Sequence, residues 1–249
     1  MHASTPPNSC SGRPSAARPR PLTTTTRTDS LSIVPSPSRL SGKPGPDCPR
    51  CPRLVAFREQ WRARQPDWHN APVASFGSRD AQLLIVGLAP GLQGANRTGR
   101  PFTGDWAGDL LYATLIEYGF ATGVYDERPD DGLKLVDARI TNAVRCVPPE
   151  NKPTTAEIKT CREFLTPTIA EMKKLRAIVT LGRIGHESTV LALGAARKAA
   201  PFTHGGRAEI GKVAVFSSYH CSRYNTNTGV LTPKMFRAVF KSVRDFLDG

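Results

Sequence analysis

The chain is short of acid: 21 aspartates and glutamates face 34 lysines and arginines, giving a net charge of +13 over 249 residues. It also lacks long hydrophobic runs. The aliphatic stretch at residues 83–86 spans four positions, far below the ~18 that a membrane crossing needs. No apolar block follows the first basic residues, so neither a secretory signal nor the disulfide framework of a secreted domain is expected. Neither GxxxxGK[ST] nor GxGxxG occurs, which disfavours a mononucleotide or dinucleotide fold. There is no internal repeat. Aromatics are sparse at 7%, but 39% hydrophobic residues suffice for a core. The length allows one full-sized domain or two small ones. The basic excess points to an anionic partner, nucleic acid first and an acidic membrane surface second.

Residues 1–46 hold nine of the 22 prolines, nine serines and six threonines, including the run at 23–26. They are too poor in apolar groups to offset chain ordering, so a disordered tail is expected. Their acid-poor, Arg- and Ser-rich character also matches an organelle transit peptide, although the prolines would break its amphipathic helix. Translation from a later start is a third reading. Six basic residues and one acidic residue lie in this tail, which leaves +8 on residues 47–249. Nucleic-acid binding should therefore survive removal of the tail.

From residue 47 the pattern becomes that of an α/β domain. Leu83–Gly87, 139–146, Ala177–Leu181 and 213–217 are short, β-branched apolar runs, as in a parallel sheet buried on both faces. Helical spacing connects them at 109–118 and 185–193. Thr154-Thr155-Ala156-Glu157 is a capping-box pattern, opening a helix through Ile158, Cys161 and Leu165. Thr232-Pro233 starts a last helix whose stripe is Met235, Phe236, Val239, Phe240, Val243 and Phe246. The expected fold is a three-layer α/β/α sandwich around a mostly parallel four-stranded sheet, with its site at the carboxyl ends of the strands.

Four of the six cysteines suit a metal or an iron–sulfur cluster: Cys48 and Cys51 in a CxxC, Cys146 at the end of the second strand, and Cys161 on a helix. Spacing alone does not separate zinc from iron–sulfur, and CxxC is a weak signal that also fits a lone pair beside buried thiols. Cys221 reads as a small packing residue. After the first strand comes a glycine-rich loop with Phe102, Asp105 and two arginines, parts that suit a pocket for a flat polar ring. After the fourth strand comes His220, in a loop dense with hydrogen-bond donors. Asn142 faces the same edge and can donate and accept at once, as an imide ring requires.

The segments GLAPG…GANRTGRPFTGD, TNAVRCVPPENKP and HxSxxNTxTGxLTP resemble the uracil-DNA glycosylase superfamily, most closely its family 5, the B-type enzymes with an iron–sulfur cluster. The resemblance covers residues 47–248. It implies that Cys48, Cys51, Cys146 and Cys161 hold a 4Fe–4S cluster of structural role. It implies that the backbone of Gly87, Leu88, Ala89, Pro90 and Gly91 lines the pocket and positions water, that Phe102 stacks on the flipped base and that Asn142 reads its edge. His220 would face the base oxygen that gains charge. Most superfamily members carry an Asp, Asn or Glu at the position of Leu88; family 5 does not, and Asp105 is the carboxylate it uses instead. Cys221 stands where Pro is frequent, which puts the rigidity of that loop in question.

The expected function follows from this resemblance: a monomeric, monofunctional DNA glycosylase that flips out and excises uracil and other deaminated or damaged bases by hydrolysing the N-glycosidic bond, starting base excision repair. Its partner would be single- or double-stranded DNA rather than a membrane, and its place the cytoplasm and nucleoid. Arg223, Tyr224 and Asn225 are the expected DNA contacts, the first two as wedge candidates, and Arg53, Arg58, Arg62 and Arg64 the expected phosphate contacts, unless they form a solvated face. A non-catalytic iron–sulfur nucleic-acid-binding protein of the same fold is the rival, favoured by the missing carboxylate at Leu88. An electron-transfer role lacks a ferredoxin-like spacing.

Overall fold

The structure, a computed structural model, describes residues 42–249. The disordered-tail expectation falls on residues outside that range, except at its end. Gly42 and Pro44 are buried, and the Gly42 carbonyl accepts hydrogen bonds from Thr168 Oγ1 (3.1 Å) and Arg145 Nη2 (3.4 Å). The packed chain therefore already includes Gly42, a few residues before the composition changes at 47.

A six-stranded sheet has the spatial order 76–77, 138–142, 83–87, 177–181, 213–218 and 207–210. Its centre is the four parallel strands β5 (Ala138–Asn142), β2 (Leu83–Gly87), β6 (Ala177–Leu181) and β8 (Val213–Ser218). These are the four expected strands. The two additional ones, β1 (Phe76–Gly77) and β7 (Arg207–Ile210), run antiparallel at the edges. Edge strands need no continuous apolar run: β1 is two residues long, and β7 alternates exposed with half-buried positions. The second strand is also shorter than expected, because it ends at Asn142. Ala143 and Val144 still donate to the carbonyls of Gly87 and Leu88 (both 2.9 Å), but Cys146 lies in the following loop.

One face of the sheet is covered by α3 (Trp106–Glu117) and α7 (Pro233–Asp248), the other by α4 (Thr155–Glu171) and α5 (Arg183–Ala192). The capping signals act as expected. Thr154 and Glu157 close a reciprocal box on α4, and Thr232 caps α7 by accepting from the Met235 N–H at 3.2 Å. α7 buries Phe236, Val239, Phe240, Val243 and Leu247. A small hairpin, β3 (Ala121–Thr122) with β4 (Lys134–Leu135), stands apart from the main sheet. α1 (Pro52–Arg64) packs Leu54 with Val144, Cys161 and Phe164 in a satellite cluster. Two short helices, α2 (Ala95–Thr98) and α6 (Arg223–Asn227), lie in the loops after β2 and β8. Among the described residues, no helix is long and apolar enough to cross a membrane.

Candidate active site

The loops after β2, β5, β6 and β8 enclose a cleft of about 890 Å³ at the carboxyl ends of the parallel strands. The cleft brings together Leu88, Ala89, Pro90, Gly91, Phe102, Asp105, Asn142, His220, Arg223 and Asn225. Gly87 ends β2 directly beneath. A Cβ on Gly87 would collide with Asn142 Oδ1 and lie 2.5 Å from Phe102 Cζ. Glycine at this position is what lets the Asn142 amide and the Phe102 ring approach the strand end. Asn142 is 3% exposed and its Oδ1 has no hydrogen-bond partner. A buried, unpaired amide oxygen costs stability unless something in the site satisfies it.

Phe102 adopts φ +53°, a left-handed conformation that is unfavourable for an aromatic residue. Its surroundings hold it there. Tyr125 Oη donates to the Phe102 carbonyl (3.2 Å) and accepts from the Gly104 N–H (3.3 Å). Arg100 forks onto Asp131 at 2.8 and 2.5 Å and packs against the rings of Phe76, Tyr112 and Tyr125. The guanidinium holds the Asp131 carboxyl far below the usual carboxylate range.

Asp105 stands at the N-cap of α3 without capping it, and its Oδ1 is buried with no partner. Burial raises its pKa. The nearby N–H groups of Ala107 and Gly108 offset this only in part, since neither makes a well-formed bond to the carboxylate. The loop after β2 wraps this group: a Cβ on Gly91 would lie 2.8 Å from Asp105 Oδ2, and one on Gly94 closer still.

His220 is half-buried, and its ring stacks on Phe102 with centroids 5.9 Å apart. Burial lowers its pKa to about 4, so the imidazole is neutral at pH 7. Among the described residues, no group hydrogen-bonds its ring nitrogens. Asn225 Nδ2 donates to the His220 carbonyl at 2.8 Å, so this amide holds the loop in place. Cys221 is fully buried in the main core, with Sγ 3.5 Å from the Ala107 carbonyl. That packing, with the Asn225 bond, supplies the rigidity a proline would give. Arg223 and Tyr224 sit on α6 at the mouth, and Tyr224 is 73% exposed.

The sequence reading missed several lining residues. Trp106 is 44% exposed at the mouth. Phe202 and Tyr219 form another wall, with ring centroids 6.0 Å apart. The adjacency of Trp106 to Asp105 was the one available signal. Phe202 lies in a loop with no periodicity to mark it.

The four cysteines lie apart from these residues and line one small cavity between α1, α4 and the loop after β5. As they stand, among the described residues no three His, Cys, Asp or Glu side chains are arranged to hold a metal ion. Burial raises the Cys146 thiol to about 12 and the Cys161 thiol to about 11. The same cavity is lined by Arg58 and Arg145, both buried; Arg145 Nε has no hydrogen-bond partner, and Arg58 Nε has only the Glu59 carboxylate at 3.6 Å. Four sulfur donors with two buried cations fit an anionic group such as a thiolate-ligated cluster. Ala89 lines the cleft and also packs against the cysteine cluster.

The expected arginine row on α1 is largely spent within the protein. Arg53 forks onto Glu157 at 2.8 and 2.7 Å, Arg58 bonds the Cys48 carbonyl (3.2 Å), and Arg62 bonds the Asn70 carbonyl (3.0 Å) and Asp47 (2.7 Å). Arg64 is exposed, with its guanidinium 5.7 Å over the Trp61 ring. The row ties α1 to its neighbours rather than presenting a phosphate stripe.

Comparison with known proteins adds an independent line. The Uracil DNA glycosylase superfamily matches residues 74–244. A Type-5 uracil-DNA glycosylase of Thermus thermophilus is 42% identical over 204 residues, covering 79% of this chain and 92% of the relative. The Type-5 uracil-DNA glycosylase of Pyrobaculum aerophilum is 38% identical over 199 residues, covering 78% and 87%. A Type-4 uracil-DNA glycosylase of the same organism is 32% identical over 149 residues, covering 59% and 62%.

Proposed function

The chain belongs to the uracil DNA glycosylase superfamily, and from that premise we propose that it is a monofunctional uracil-DNA glycosylase of the type-5 kind, acting as a monomer on DNA. The observation that carries this reading is the buried, unpartnered Asn142 Oδ1 beside the Phe102 ring and a neutral His220. A uracil in a duplex must leave the stack to reach a protein pocket. Once extruded, it lies against the flat face of Phe102. Asn142 Oδ1 accepts from the imide N–H while its Nδ2 donates to the neighbouring carbonyl oxygen.

In the reaction the C1′–N1 bond breaks, its electron pair leaves with the base, and water adds to C1′, the proton it loses balancing the one the departing base takes up. Negative charge collects on the base oxygens. A neutral His220 donates a ring N–H to one of them, and this interaction strengthens only as the charge develops. Asp105 faces the Gly91–Gly94 turn and orients the water or supports the positive sugar. No lysine lines the cleft among the described residues, which supports hydrolysis without strand cleavage. The apolar wall at Leu88 and the volume of the cleft support a range beyond uracil, including deaminated purines.

Cys48, Cys51, Cys146 and Cys161 hold a 4Fe–4S cluster in this reading, with Arg58 and Arg145 as buried counter-charges. Such a cluster would brace the fold rather than take part in the reaction, and Ala89, which touches both the cleft and the cysteines, would carry that bracing to the cleft. The cytoplasm and nucleoid are the corresponding location.

The test is base release from a panel of duplexes bearing uracil, hypoxanthine or xanthine, read as strand breaks after alkali. Uracil release with breaks appearing only after alkali is expected. No release from any substrate, or breaks before alkali, refutes the reading. Protein purified without oxygen should carry iron and sulfide and absorb broadly in the violet. Stoichiometric zinc without iron refutes the cluster.

A further inference from the structure

The mouth of the cleft is formed by two elements with very different anchoring. α3, which begins at Trp106, buries six residues, including Leu111, Tyr112 and Leu115. α6 buries none of its five. It is capped by Ser222 and tethered inward by the Asn225 bond to the His220 carbonyl. The Leu231 N–H donates to the Asn225 carbonyl at 3.0 Å, holding the helix's C-terminal side, and two further ties run across the cleft to Trp106. The indole Nε1 donates to Thr226 Oγ1 at 2.9 Å, and the Arg223 guanidinium lies 5.0 Å above the indole ring. Thr226 Oγ1 is well placed to accept, because its own proton serves the Ser222 or Arg223 carbonyl (3.2 and 3.1 Å). Trp106 thus stays 44% exposed while both ends of its side chain engage α6. Between those two contacts, α6 holds up Tyr224.

We propose that Trp106 is a positioning residue that clamps α6 across the cleft mouth, so that Tyr224 meets a duplex as a pre-set wedge. The inference rests on the glycosylase reading and extends it. A wedge is needed only where a stacked neighbour closes behind the departing nucleotide. In a single strand that closure is weak, so the clamp matters little there. Holding a group in place before the encounter removes the ordering that would otherwise accompany extrusion. The bland alternative is that Trp106 merely covers the start of α3, in which case its loss affects both kinds of substrate alike.

The experiment compares single-turnover uracil release from a duplex and from the same strand alone, for the wild type, Trp106→Ala and Trp106→Phe. Trp106→Ala should slow duplex release by about tenfold or more and leave single-strand release within about twofold. Trp106→Phe keeps a ring beneath Arg223 but loses the N–H, and should fall between. Equal slowing on both substrates, or an unslowed duplex reaction, overturns the proposal. If Trp106→Ala does not fold, Thr226→Val removes the indole's acceptor from the other side and should give the same duplex-only defect. A wild-type chain that releases uracil from neither substrate refutes the glycosylase reading instead. The clamp is then read from the fluorescence of 2-aminopurine beside the uracil on binding. Trp106→Ala should diminish that rise, and an undiminished rise overturns the clamp.

Discussion

Gly87→Ala is the smallest change that tests how the base is read. The backbone of Gly87 is not left-handed, so alanine brings no conformational penalty there, only its methyl group. That methyl collides with Asn142 Oδ1 and sits 2.5 Å from Phe102 Cζ. Neither neighbour can yield freely. Asn142 ends β5 in register with Gly87, and Phe102 is held from behind by Tyr125 and faces His220. Overpacking of this kind costs about 1–3 kcal/mol, and for a domain of this size each kcal/mol lowers Tm by roughly 2–4 °C. The kinetic effect should be larger than the stability effect suggests. A displacement near 1 Å of the groups that hold the base costs on the order of 10²-fold in rate. DNA affinity, which comes mainly from phosphate contacts, should stay close to wild type. Single-turnover release from a uracil duplex, measured beside a thermal melt and a binding isotherm, separates the three quantities. A folded Gly87→Ala protein with the wild-type rate would refute the idea that Asn142 and Phe102 read the base from this position.

Four further expectations follow from the same structure. His220→Ala should slow single-turnover release by ~10²–10³ with little change in DNA affinity, and a wild-type rate in the folded variant defeats its assignment. Because burial holds His220 at about 4 against an ordinary 6.5, the unfolded chain binds more protons between those values. Its contribution to stability is therefore full above pH 6.5 and falls as pH drops toward 4, and a His220→Ala protein should lose that acid sensitivity in pH-dependent melts. Asp105→Asn removes a buried charge whose pKa is raised by burial; it should raise Tm near neutral pH by roughly 2–4 °C, for about 1 kcal/mol, while slowing release, and a lowered Tm contradicts the account of an unpaired carboxylate. A chain beginning at Arg39 should bind DNA and release uracil as the full chain does, whereas one beginning at Asp47 should melt earlier because it loses the Gly42 contacts to Arg145 and Thr168; equal melting temperatures would show those contacts to be idle.

What the sequence made legible was whatever local physics writes into short windows. The four central strands are runs buried on both faces, and the caps at Thr154 and Thr232 act through neighbours three residues away. β1 and β7 escaped because a strand with one open edge tolerates polar residues. The site residues named by the family motifs do share one cleft, but their supports were invisible. Tyr125 and Asp131 lie more than twenty residues from the turn they hold, and no periodicity marks such a pairing. The arginines of α1 illustrate the converse. In sequence they resemble a phosphate-binding row, and only the fold reveals that Glu157, the Cys48 carbonyl and Asp47 already occupy them. Asn225 likewise turned inward, toward the His220 carbonyl.

The buried Arg100–Asp131 pair, roofed by aromatic rings, bears on how the protein should behave on warming. The Gly104 amide is tied into that network through Tyr125, so its exchange should follow the opening of the network; the amides of α6, a helix that buries nothing, need only a local excursion. The cleft thus has a floor that melts with the domain and a mouth that frays on its own. In a temperature series, hydrogen exchange in α6 should accelerate well before Gly104 does. Over that interval uracil release from duplexes should fall before release from single strands does.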